Sequence, residues 1–292
     1  MLAALGITLT GCADNEFARL GMPEPITHQA DRVLSLWQGS WIAAFAVGFL
    51  VWGLIIWSII FHRKRSEQLP PQVRYNLPIE ALYTVLPFVI IAVLFYFTAR
   101  DQNVLMDTDA DPNDPDVVEI DVLAYQWSWQ FTHVGEENVS GDDVAVSGIP
   151  GQDPQLVIPN DTTIHFNLEA PDVIHSFWVP AFLFKLDVIP GHPNEFQVEM
   201  HEDVEGVFEG KCAELCGVDH SQMLFTVRVV DPEEYEEWIS EQRDDPESGV
   251  EVPAAEELEE LNNGEATDNG ENDTAAARAA EEDDQEAEAA TS

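Results

Sequence analysis

Between Lys211 and Met223 the sequence reads KCAELCGVDHSQM, bringing two cysteines, a histidine and a methionine into one short run. Cys212 and Cys216 are four residues apart, His220 follows four later and Met223 three later. The third cysteine, Cys12, is remote, so the pair is local. Two such thiols can close a disulfide in an oxidising exterior, or hold zinc, whose usual ligands are cysteine and histidine. Neither reading uses the thioether. Thiolate and thioether together favour copper. A mononuclear blue site takes one cysteine, two histidines and a weak axial methionine, so this loop has one cysteine too many. Two thiolates can instead bridge two copper ions, which then need terminal ligands: Met223, His220, a second imidazole and one further donor. The second imidazole is sought among His133, His165, His175, His192 and His201. His175 opens the aromatic run of DVIHSFWVPAF at a strand end, where water can be excluded. His165 lies inside an alternating strand, where a histidine that merely packs is the plainer reading.

Short strands must position these groups. VVEIDVLAYQWSWQF (117–131), QLVIP, TTIHFNLEA, NEFQVEM and MLFTVRVV are rich in β-branched and aromatic residues and bounded by Pro, Gly, Asn or Asp. About seven such strands predict an antiparallel sandwich or barrel. GEENVSGDDVAVSGIPGQDP (135–154) is a Gly-rich excursion between strands. DPEEYEEWISEQR (231–243) predicts a helix with Asp231 as N-cap and Pro232 at the first helical position.

Ahead of this domain stand two apolar runs. Ser40–Phe61 contains no charge, and Leu77–Thr98 carries only Glu80 near its start, with Pro87 mid-span. Each spans about 33 Å as a helix, enough for a bilayer core. Their length and continuity argue against two buried core helices. The loop between them holds Arg63, Lys64, Arg65 and Arg74, which makes it cytoplasmic by the positive-inside rule and places the cysteine loop outside. The expected organisation is an N-terminal segment (1–39), a transmembrane hairpin (40–98), a solvated linker (99–116), an external β domain with a C-terminal helix (117–243), and an Ala/Glu/Asp-rich tail (244–292) expected to be disordered. LTGC (9–12) resembles a lipoprotein cleavage site that would leave Cys12 lipidated, although no basic residue precedes it; a misplaced start or a plain disordered end are the other readings.

The formal net charge is −43, from 55 acids against 12 bases, and the acid excess extends well beyond the tail. Such a surface repels itself at low salt and tolerates molar salt, where the Debye length shrinks to about 3 Å. This predicts a halophile's protein, and the sign excludes nucleic acid as a partner.

DVIHSFWVPAF, CAELCGVDHSQM and YQWSWQF, together with the hairpin before them, closely resemble subunit II of haem-copper cytochrome c oxidases, here of a haloarchaeal-like kind. The likeness covers roughly residues 30 to 240. It implies an all-β, cupredoxin-like Greek-key barrel holding the binuclear mixed-valence CuA centre. By this resemblance Cys212 and Cys216 bridge two copper ions. His175 and Met223 complete one copper, and His220 with the backbone carbonyl of Glu214 the other. The Glu214 carboxylate matches a magnesium ligand shared with subunit I, Trp127 the residue through which electrons arrive, and Glu80 an acid near the mouth of a proton channel in subunit I. The family's usual PGR after the Lys185-x-Asp187 segment is here Pro190-Gly191-His192. The implied function is to accept electrons from an external donor, cytochrome c or a small blue copper protein, and pass them to haem in subunit I. Oxygen is reduced to water there, with proton translocation. Other oxidase subunits and membrane lipids are the remaining implied partners. The runner-up is the CuA-bearing subunit of a membrane nitric oxide reductase. A membrane-anchored metal-binding module without electron transfer is the reading from another class.

Overall fold

The computed structural model describes residues 16–65, 67–69, 72–108, 117–149, 151–245 and 248. Cys12 with its lipoprotein-like segment, and the acidic tail apart from its first residues, lie outside the described residues.

Two long helices come first, α1 (His28–Phe61) and α2 (Leu77–Leu105). The Thr27 hydroxyl caps α1 by accepting from the Ala30 N–H at 3.1 Å. At the start of α2 the Glu80 carboxylate accepts from the Asn76 N–H at 2.9 Å, satisfying a donor the helix leaves free. The apolar stretches of both helices are long enough to cross a membrane, with mean hydropathy 2.4 and 2.2. Large side chains along them, such as Trp52 and Phe95, stay exposed. In water such a surface is costly; in lipid it is matched.

The helices outrun the expected spans. α1 starts at His28 rather than Ser40, and α2 continues to Leu105 through residues read from sequence as linker. At 1.5 Å per residue α1 is about 51 Å long, well beyond a hydrocarbon core of about 30 Å. The additional turns are polar and only partly covered by protein. Gln29 and Ala30 are buried, and Asp101 is 2% exposed, with Arg100 at 2.6 Å and Arg32 of α1 at 3.9 Å. Hydropathy registers only the lipid-covered part.

Among the described residues ten strands follow: β1 (Val117–Tyr125), β2 (Ser128–Glu137), β3 (Asp143–Ser147), β4 (Gln155–Pro159), β5 (Thr163–Glu169), β6 (His175–Val179), β7 (Phe184–Val188), β8 (Asn194–Glu199), β9 (Gly206–Cys212) and β10 (Leu224–Val230). Helix α3 (Pro232–Asp244) closes the domain, capped by the Asp231 carboxylate on the Glu234 N–H. The strands form two five-stranded sheets, β3-β2-β1-β5-β8 and β4-β10-β9-β6-β7. The fold is cupredoxin-like.

Two features depart from the sequence expectation. The run 117–131 is not one strand but a hairpin turning between Tyr125 and Ser128. The sheets are mixed, with β1 parallel to β5 and β4 parallel to β10, rather than wholly antiparallel. Alternation tells which face a residue takes; it says nothing about which strand lies alongside.

Between the sheets packs an aromatic core of Trp129, Phe131, Phe166, Phe177, Phe196 and Phe225. Phe177 and Phe225 stack with centroids 5.0 Å apart. Phe225 lies over Gly210, where a Cβ would meet the ring at 2.1 Å, so β9 admits only glycine there.

The hairpin is joined to this domain by hydrogen bonds. The Ile26 N–H donates to the Ala181 carbonyl (3.3 Å), the His201 N–H to the Ile26 carbonyl (3.1 Å), and the Glu199 N–H to the Gln29 side chain (2.9 Å). The start of the first membrane helix is thus part of the β domain's own bonding.

Candidate metal centre

In the second sheet β9 runs antiparallel to both β6 and β10, with Phe177 opposite Cys212. The end of β9 therefore lies beside the start of β6 and the start of β10. His175 opens β6, Cys212 ends β9, and the loop to β10 carries Cys216, His220 and Met223. Ligands far apart in sequence meet because antiparallel neighbours exchange ends. The 3₁₀ turn His220–Gln222 folds the loop back, and the Cys212 N–H donates to the Met223 carbonyl at 3.0 Å.

Cys212 Sγ lies 3.9 Å from Cys216 Sγ, 3.8 Å from His175 Nδ1 and 3.2 Å from the Glu214 carbonyl oxygen. Cys216 Sγ lies 3.5 Å from His220 Nδ1 and 3.7 Å from Met223 Sδ. The thiols are free, not a disulfide. Two donors bonded at about 2.0–2.3 Å to one ion can stand no more than about 4.6 Å apart, and each of these contacts meets that limit. The donor set fits thiophilic metal: two sulfurs flanked by imidazoles, with a thioether and a carbonyl behind. Met223 is wholly buried, and the two cysteines and His175 nearly or wholly so.

Electrostatics agree. Burial raises the Cys212 thiol's pKa, but hydrogen bonds from His175 and from nearby backbone outweigh it and bring it down to about 7. Burial and the Cys212 charge push the Cys216 thiol up to about 12. The two thiols are thus driven apart in acidity, and a cation that takes both as thiolates displaces the protons they still hold.

His175 is oriented by Asp172, which sequence reasoning missed. Its Nε2–H donates to Asp172 Oδ1 at 2.9 Å, leaving Nδ1 to face the sulfurs. Burial tends to lower the His175 pKa, but the Asp172 carboxylate and the Cys212 thiolate raise it overall. The Asp172 carboxyl stays below its usual value despite burial, because it accepts from His175 and also from the backbone of Val173 and Gln126. A carboxylate three residues before the histidine was the available signal. Metal-bound imidazoles commonly carry such a partner.

Trp127 is half-buried against the loop, its indole Nε1–H donating to the Cys216 carbonyl at 3.3 Å. The Gln126 amide donates to the same oxygen at 2.5 Å. The Glu214 side chain is exposed although its carbonyl faces the site. Of the other imidazoles, His165 is buried on β5 with Glu195 at 3.5 Å, His133 is buried beside Tyr235, His192 sits in an exposed turn and His201 meets α1. Glu80 stands at the far end of the hairpin, remote from the loop in the fold.

Two buried thiols with imidazoles beside them, on a cupredoxin-like domain that follows two helices long enough to cross a membrane, define a candidate metal centre in a membrane-anchored protein. Residues 118–230 match the family model for cytochrome c oxidase subunit II, periplasmic domain. The chain is 47% identical to the probable cytochrome c oxidase subunit 2 of Streptomyces avermitilis, over 85% of this chain and 86% of that one. It is 48% identical to the protein of the same name from Streptomyces coelicolor, with the same coverage of each chain. The crystal structure of the periplasmic domain of subunit II (CoxB) of Bradyrhizobium japonicum is 29% identical, covers 43% of this chain and 93% of its own, and gives a TM-score of 0.38. The chain belongs to the cytochrome c oxidase subunit II family. Its members are subunits of haem-copper oxidases, which are oxidoreductases, and carry the CuA copper centre. This chain is accordingly anchored by its helices with a periplasmic copper domain.

Proposed function

We propose that this chain accepts electrons from an external donor at a binuclear copper centre and passes them to haem in subunit I, where oxygen is reduced. The observation that carries the reading is the placement of two free thiols 3.9 Å apart, with an imidazole nitrogen 3.8 Å from one and another 3.5 Å from the other. Cys212 and Cys216 would bridge, His175 and Met223 would serve one ion, and His220 with the Glu214 carbonyl the other. Such a pair of ions supplies a one-electron site shared between two metals. The chain's own contribution is rigidity: strand ends fix Cys212, His175 and Met223, Asp172 fixes the imidazole, and the aromatic core keeps water out.

Trp127 is the proposed arrival point for electrons, since its indole bonds directly to the backbone of a ligating cysteine. The exposed Glu214 carboxylate is available for a magnesium ion shared with subunit I. The basic loop between the helices faces the cytoplasm in this reading, with both helices crossing the membrane and both chain ends outside. Glu80, at that cytoplasmic end, serves as a proton collector for subunit I. Cytochrome c or a small blue copper protein is the donor. The acid-rich surface suits a halophile's exterior.

Electron paramagnetic resonance of the intact oxidase tests the centre. The expected result is two coppers in this chain and one unpaired electron delocalised over both nuclei when oxidised. Cys216→Ser abolishes that signal because a bridge is lost. One copper, or zinc only, overturns the reading.

A further inference from the structure

We propose that His28, Asp31 and His201 form a second metal site, which binds one divalent ion of the zinc kind and pins the first turn of α1 to the copper domain. The ligand atoms of these three residues all lie within 4.8 Å of one another. His28 and Asp31 are three apart at the start of α1 and so share a face. His201 follows β8, its Nε2 3.1 Å from Asp31 Oδ2. The two imidazole rings approach edge to face with centroids 4.7 Å apart.

Backbone bonds hold the two ligating segments in register before any ion arrives. The His201 N–H donates to the Ile26 carbonyl, Thr27 pairs with Met200, and Thr27 caps the helix through its hydroxyl. Only side chains then need to move. Donors bonded at about 2.0–2.2 Å to one zinc stand no more than about 4.4 Å apart, so the cluster closes by small side-chain rotations. His28 and Asp31 are exposed and His201 is partly so, which leaves a path for the ion and a fourth position for water.

The donor chemistry selects the ion. Two imidazoles and a carboxylate, with no sulfur, suit zinc and differ from the thiolate set of the copper loop. The positive end of the α1 dipole opposes a cation slightly. The Asp31 carboxylate and a chain of net charge −43 act the other way. The bond from His201 to Asp31 also exists without metal, so a merely structural ion pair is the competing account and the experiment must separate the two.

The test uses the copper-loaded chain within its purified oxidase, treated with a mild chelator and then titrated with zinc alone. Bound zinc is counted by metal analysis after dialysis, and the CuA optical spectrum is followed throughout. Wild type is expected to hold one more zinc per chain than the His28→Ala variant, with affinity at least about 100-fold higher. Asp31→Asn weakens binding about tenfold. The spectrum stays unchanged in all samples, and zinc raises the temperature at which it is lost in wild type only. His28 is exposed and makes no core contact, so its variant decides the matter even where His201→Gln folds poorly. Equal zinc in wild type and His28→Ala overturns the proposal, as does zinc uptake that expels copper.

Discussion

Trp127 lies across Gly217 so closely that a Cβ on the glycine would stand 2.9 Å from both the indole Nε1 and Cζ2. Gly217 directly follows Cys216, whose carbonyl accepts the indole N–H. Its φ of +133° is a conformation that side-chain-bearing residues rarely adopt. The glycine is therefore what lets the tryptophan rest on the metal-binding loop.

Gly217→Ala is expected to push the indole off the loop and slow reduction by the external donor, on the order of tenfold to a hundredfold. Trp127→Gln should slow the same step while preserving the copper spectrum and onward transfer to haem. Stopped-flow reduction followed at CuA and at haem checks both. Equal slowing of both steps, or a lost spectrum in Trp127→Gln, assigns the tryptophan a packing role instead.

Asp172→Asn keeps the shape but removes the charge that holds His175. Loss of such a partner weakens metal affinity by about 10–100-fold. Chelator competition against the copper-loaded chain should show that loss, with the two-copper signal shifted but present. An unaltered affinity means that strand geometry alone orients the imidazole.

Glu80→Ala separates two roles. The carboxylate caps the Asn76 N–H, so its removal costs α2 about 1 kcal/mol at its end. A capping role predicts normal turnover once the complex is assembled. The proton role predicts lowered turnover across pH with CuA reduction intact, and that is the expected outcome. Glu80→Gln, which can still accept the cap bond, should reproduce the turnover loss.

His133 should make the domain acid-sensitive. The ring is wholly buried, with Nδ1 3.0 Å from the Tyr235 hydroxyl, and burial pushes its pKa down to about 3. The unfolded chain titrates near the ordinary value of about 6.5. Between these values the unfolded state binds the extra proton. The neutral-histidine contribution is thus fully present above pH ~6.5 and is lost as pH falls towards ~3, at up to about 1.4 kcal/mol per pH unit. His133→Phe should flatten the stability profile between pH ~6.5 and ~5, before most carboxylates protonate, as measured by denaturant unfolding of the chain in detergent. The same slope in wild type and variant counts against it.

The cysteine loop was legible in sequence because metal chemistry is written in residue types. Two sulfurs, an imidazole and a thioether at fixed short spacing leave few ions that use them all. The lipid-covered parts of α1 and α2 were legible because a bilayer demands about 20 unbroken apolar residues. Tertiary structure decided the rest, where a residue's role depends on a neighbour distant in the chain. That His175 faces Cys212 follows from β6 and β9 being antiparallel neighbours, which alternation within either strand does not encode. The polar ends of both helices bury Gln29, Ala30 and Asp101 against the β domain and an Arg–Asp cluster, and hydropathy cannot see those contacts. Asp172, Gln126 and Gly217 look ordinary as letters. They gain their roles only when the fold brings one to His175 and the others to the loop after Cys216, since a hydrogen bond or a close approach is a property of distance and not of composition.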